Sequence, residues 1–88
     1  GILADVALGW LGVHVLWVET GQRSARLGSA LLEECERRAR KAGAHSARLD
    51  TFDWQAEGFY TRHGYAVFAR LADYPLGHER VFMSKRLE

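Results

Sequence analysis

Cysteine occurs once, at position 35, so no disulfide can form within the chain. That excludes a small secreted scaffold held by bridges and makes a reducing, cytoplasmic setting the default expectation. An excess of charge of one sign is also missing: 12 Lys and Arg stand against 11 Asp and Glu, a net of +1. So even a balance fits neither a general nucleic-acid surface nor an acidic disordered tail. Long hydrophobic runs are absent too. The most apolar stretch, "GILADVALGWLGVHVLWV" at the start, is interrupted by Asp5, Gly9, Gly12 and His14 and is short for a membrane span. No basic region precedes it, as a cleaved secretory signal would need. The chain opens without a methionine inside what reads as a strand, which leads us to expect a fragment or processed form.

Neither internal repeats nor low-complexity tracts are present. The phosphate-binding G-x-x-x-x-G-K-[ST], the dinucleotide G-x-G-x-x-G and the hydrolase G-x-S-x-G patterns are all missing. His45, His63 and His78 stand at no ligand spacing with one another or with Cys35, so no metal site is expected. Cys35 falls on an apolar helical stripe and reads as a packed thiol.

What is there suits one small globular domain over residues 1–88, 48% hydrophobic and 26% charged. Residues 2–7 form a weak strand. After a turn at Gly9, "VHVLWV" (13–18) is a β-branched and aromatic run of the kind that suits a central strand covered on both faces. A helix is predicted over 25–42, with an apolar stripe of Gly28, Leu31, Leu32, Cys35, Ala39 and Ala42. Glu33, Glu34 and Glu36 stand four residues before Arg37, Arg38 and Arg40, in the favourable order for exposed ion pairs. Gly43 reads as the stop. "SARLDTF" (46–52) alternates as a strand, 55–63 is a short helix ended by Gly64, and strands follow at 65–71 and 80–87 across a "DYPLGH" turn. The order β-β-α-β-α-β-β predicts an α/β or α+β sheet.

The start of the long helix breaks a rule. Arg23 and Arg26 sit where the positive end of the helix dipole favours acidic residues. A helix that begins directly after a strand presents free backbone N–H groups, and Ser24, Ala25 and Gly28 are small enough to let a ligand approach them. The two arginines then read as counter-charges for a bound anion. The alternative is that both are solvated surface residues, at a cost of about 0.3–1 kcal/mol.

Two blocks resemble the GNAT superfamily of N-acetyltransferases. Arg23-Ser24-Ala25-Arg26-Leu27-Gly28 is similar to the family's Q/R-x-x-G-x-G/A pyrophosphate motif, with Arg26 in place of the first glycine. "LDTFDWQAEGFYTRHGY" (49–65) is similar to the N-x-x-A-x-x-x-Y block, with Asp53, Ala56 and Tyr60 in register and Gly64-Tyr65 closing it. Asp53 replaces the usual asparagine. The resemblance covers about residues 11–88 and implies a mixed, largely antiparallel sheet flanked by helices and lacking the family's N-terminal portion.

The same resemblance implies acetyl transfer from acetyl-CoA to a primary amine, with no metal. The strands at 13–18 and 46–52 would splay apart, so that backbone at Leu16, Trp17 and Val18 meets the pantetheine, with the Val18 N–H near the thioester oxygen. Residues 23–29, Ser29 included, would hold the pyrophosphate. Asp53 and Arg62 would add contacts to the arm and the phosphates. Tyr60 would protonate the departing thiolate, its alternative being a core tyrosine. His14 and Glu19 are both candidate bases, and His14 equally suits a buried structural histidine. A catalytically silent acyl-CoA-binding or interaction module is the competing reading, and a third is a fold that needs strands from a partner chain. An unpaired sheet edge leads us to expect a homodimer.

Overall fold

The computed structural model describes residues 1–16 and 25–87. Strand β1 (Ile2–Ala7) turns into β2 (Trp10–Leu16), followed by helix α1 (Ala25–Lys41), β3 (Ser46–Phe52), helix α2 (Glu57–Arg62), β4 (Ala66–Ala72) and β5 (Glu79–Arg86). The strands form one sheet in the order β1-β2-β3-β5-β4. Only β2 and β3 are parallel. That pair is joined through α1, since parallel neighbours need a crossover rather than a hairpin.

Alternation decides which face is covered. Ala47, Leu49 and Thr51 of β3 are buried and Arg48 and Asp50 are exposed, the period-2 pattern of a sheet with one packed face. Leu11 and Val13 of β2 and Val81 and Met83 of β5 complete that face. Leu32 and Ala39 of α1 and Tyr60 of α2 lie in the same buried cluster. Ser29 Oγ of α1 lies 2.8 Å from Nε2 of His63, the residue that follows α2. Both therefore lie on one side of the sheet. The other side exposes Leu3, Trp10, Phe68 and Leu71.

This corrects the expectation that the second strand is covered on both faces: His14 is exposed while Leu11 and Val13 are buried. The strand also begins at Trp10 rather than at residue 13. In α1 the stripe holds at Gly28, Leu32 and Ala39, whereas Ala42 is exposed in the turn after the helix. Gly43 follows at φ +96°, a left-handed conformation that lets Ala44 N–H reach back to the Ala39 carbonyl.

Of the ion pairs expected along α1, Glu34–Arg38 is present and the other two are replaced. Glu34 accepts from both Arg37 and Arg38, and these two guanidinium groups hold its carboxyl down at about 2. Arg40 instead donates to the Leu87 carbonyl. Glu36 is 2% exposed, so it is no surface partner at all. Its carboxylate accepts from Tyr65 Oη and Lys85 Nζ, each at 2.8 Å.

Candidate active site

The site follows from a mismatch in strand length. β2 and β3 are paired from Trp10↔Ser46 to Val13↔Leu49. Beyond that point β2 continues to Leu16 and β3 to Phe52, held by their outer partners β1 and β5. Among the described residues the inner backbone edges past Val13 and Leu49 have no ladder partner in each other, which leaves polar groups available to a ligand. A cleft of about 420 Å³ opens there, lined by His14, Leu16, Asp50, Thr51, Gln55, Ala56 and Tyr60.

The lining residues come from both faces of the sheet. Thr51 and Tyr60 belong to the helix-covered side, and His14 and Asp50 to the open side. Residues of both faces thus meet at the gap between the two strands. Tyr60 is 7% exposed. Its N–H donates to the Ala56 carbonyl, and its carbonyl accepts from His63 and Tyr65. Burial, and secondly the negative charge of Asp50, push its phenol above the usual tyrosine value. The group therefore carries its proton throughout the neutral range. Asp50 accepts from Arg80 Nη2 at 2.8 Å, and the Arg80 guanidinium lies 4.9 Å from the Tyr74 ring and 5.6 Å from Phe52.

The structure brings His14, Leu16 and Tyr60 together at the cleft. The first turn of α1 contains no acidic residue and carries exposed Arg26. Leu27 is half-buried and Gly28 buried, and a Cβ at Gly28 would lie 3.5 Å from the Phe59 ring. Ser29 faces His63. The beginning of α1 is therefore packed against α2, the element that carries Tyr60. Ala25 opens α1. Trp17, Val18, Glu19, Arg23 and Ser24 lie outside the described residues.

Asp53 and Arg62 stand apart from the cleft lining. Asp53 Oδ2 accepts from the Glu79 N–H at 2.9 Å, and Oδ1 is 3.1 Å from His78 Nδ1, so the carboxylate fastens the turn after β3 to the start of β5. Arg62 is exposed in the last turn of α2. Asp50, Thr51 and Gln55 were not singled out from the sequence. Asp50 could have been, because alternation places it in phase with exposed Arg48 at the end of a strand read as splaying.

A fit to an acyl-thioester arm rests on these features: unpaired strand edges beside the cleft, a proton-bearing phenol within it, and a cationic first helical turn packed nearby. Among the described residues no group of three His, Cys, Asp or Glu side chains could hold a metal ion. Nor is any described helix long and apolar enough to cross a membrane.

Comparison with known proteins follows the same line. The family model described as acetyltransferase (GNAT) domain matches residues 1–67. The chain is 42% identical to blasticidin-S acetyltransferase of Streptomyces morookaense, over 99% of this chain and 65% of that protein. It is 31% identical to an acetyltransferase of Agrobacterium fabrum, over 98% of this chain and 63% of that one. The crystal structure of an acetyltransferase from Bacillus cereus superposes with a TM-score of 0.90 at 35% identity, covering 97% of this chain and 61% of that one. The chain thus spans a little under two thirds of the length of these relatives.

Proposed function

Because the chain belongs to the GNAT acetyltransferase family, we propose that it forms the acetyl-CoA-binding and catalytic core of an N-acetyltransferase. The observation that carries this reading is the parting of β2 and β3 around a cleft that contains Tyr60. The pantetheine arm enters from the helix-covered side, with its pyrophosphate at the start of α1 near Arg23, Arg26 and Ser29. The positive end of a helix dipole and a cation such as Arg26 favour an anion there. The acceptor amine enters from the open side, past His14 and Asp50.

The chemistry then needs two things of the chain, a base and an acid. The acceptor must arrive as a free amine, and His14 takes its proton. The nitrogen attacks the thioester carbonyl, forming a C–N bond, and the C–S bond breaks with its electron pair on sulfur. Tyr60 gives a proton to the departing thiolate, leaving free CoA and an N-acetylated product. A thiolate is a fair leaving group, so the demand on the acid is modest.

We take the acceptor to be a primary amine on a small molecule, a reading supported by the substrate in the name of the 42% identical relative. Half-buried Cys35, the lone thiol, suits a reducing cytoplasm. The uncovered sheet face suits a homodimer, and sedimentation that returns only monomer at micromolar concentration would remove that part of the reading. The activity is tested by following free thiol from acetyl-CoA with blasticidin S and a panel of other amines. Amine-dependent thiol release with a matching acetylated product is expected. CoA binding without transfer to any amine would favour a silent binding module instead.

A further inference from the structure

We propose that Asp5 is a positioning residue for the transfer: its carboxylate fixes His14 in the tautomer that leaves Nδ1 free to take the acceptor's proton. This rests on the reading of His14 as the base. Asp5 lies on β1 opposite Gly12 of β2, so Asp5 and His14 are diagonal neighbours on the open face. Asp5 Oδ1 is 3.2 Å from His14 Nε2. A carboxylate oxygen this close to Nε2 repels a lone pair and attracts a hydrogen there, which favours the tautomer with the hydrogen on Nε2 and the lone pair on Nδ1. The ring that bears this lone pair lines the cleft.

Gly12 explains how the carboxylate gets there. A Cβ at this position would lie 3.0 Å from Asp5 Oδ1 and 3.3 Å from Arg48 Nη2. Glycine inside a strand weakens it, and close approach by other groups is a usual reason for its presence. Here the groups are an acid from β1 and a guanidinium from β3, each lying close over the bare backbone of β2. A side chain at position 12 would press on the carboxylate and shift it by a few tenths of an ångström from where it meets the imidazole. Asp5 on β1 and the missing side chain of Gly12 on β2 together set where the carboxylate meets His14.

The test uses ¹⁵N-labelled chain, with the His14 ring signals assigned by their loss in His14→Gln, alongside acetyl transfer to blasticidin S with acetyl-CoA varied at saturating acceptor. In Asp5→Asn the amide can present either its oxygen or its NH₂ to Nε2, so the tautomer is no longer enforced. The expected result is an appearance of the Nδ1–H form and a fall in kcat of about tenfold or more, with KM for acetyl-CoA unchanged. Gly12→Ala, which keeps Asp5 but moves it, should shift both readouts in the same direction. The proposal is overturned if His14 keeps the Nε2–H form in Asp5→Asn, or if that variant retains wild-type kcat while His14→Gln loses it. A wild-type kcat in His14→Gln is a separate result: it refutes His14 as base and takes the positioning role with it.

Discussion

Tyr60 and Asp50 show how neighbouring residues set each other's chemistry. Burial is the larger reason that Tyr60 holds its proton above the ordinary value of 10.0, and the charge of Asp50 is the second. A group that acts as an acid is useful only while protonated, so activity should be lost as pH rises through its folded pKa. Asp50→Asn removes the negative charge and should therefore move the alkaline limb of kcat to lower pH. A pH–rate profile, paired with a 295 nm difference titration against Tyr60→Phe, measures both. An unmoved limb would mean that another group sets it. In the sequence Tyr60 stands out because the block around it has a recognisable spacing. Asp50 and Gly12 do not, because their roles depend on which strands lie beside them. Gly12, taken from the sequence as an interruption of the apolar run, is an interior strand residue whose missing side chain leaves room for Asp5.

Elements were more legible than their neighbours. Residues 46–52 form β3 as their alternation predicts, and α1 ends at Lys41, within a residue of the expected boundary. The short helix begins at Glu57 rather than 55 because residues 53–56 make a turn in which Gln55 N–H bonds the Phe52 carbonyl. Such a boundary depends on backbone geometry that periodicity does not record. Glu36 illustrates a deeper limit. Its place among Glu and Arg residues reads as solvent-facing, yet Tyr65 from the segment after α2 and Lys85 from β5 enclose it. Removing one member of such a buried pair leaves the other charge uncompensated. Glu36→Gln should thus cost about 3 kcal/mol in urea unfolding. A solvated glutamate would give a change within about 0.5 kcal/mol, and that result would contradict the packing described.

At the scale of the whole molecule, function comes from an asymmetry. Among the described residues both helices cover one face, the other is open, and the cleft lies where β2 and β3 part. The helix-covered side holds Tyr60 and the cationic start of α1, and the open side holds His14, Asp5 and Asp50. The resemblance found in the sequence anticipated the parting of the strands. It did not reveal that the cleft is lined from both faces, because that depends on how the strands alternate around the gap. The central claim is that this gap is where the thioester reacts and that Tyr60 serves the departing thiolate. A paired measurement of acetyl-CoA affinity and acetyl transfer on wild type and Tyr60→Phe tests it most directly. The ring remains, so affinity should stay within about twofold, while kcat falls about 100-fold, as for loss of a general acid acting in the transition state. Unchanged kcat at unchanged affinity would contradict the account and return Tyr60 to the core.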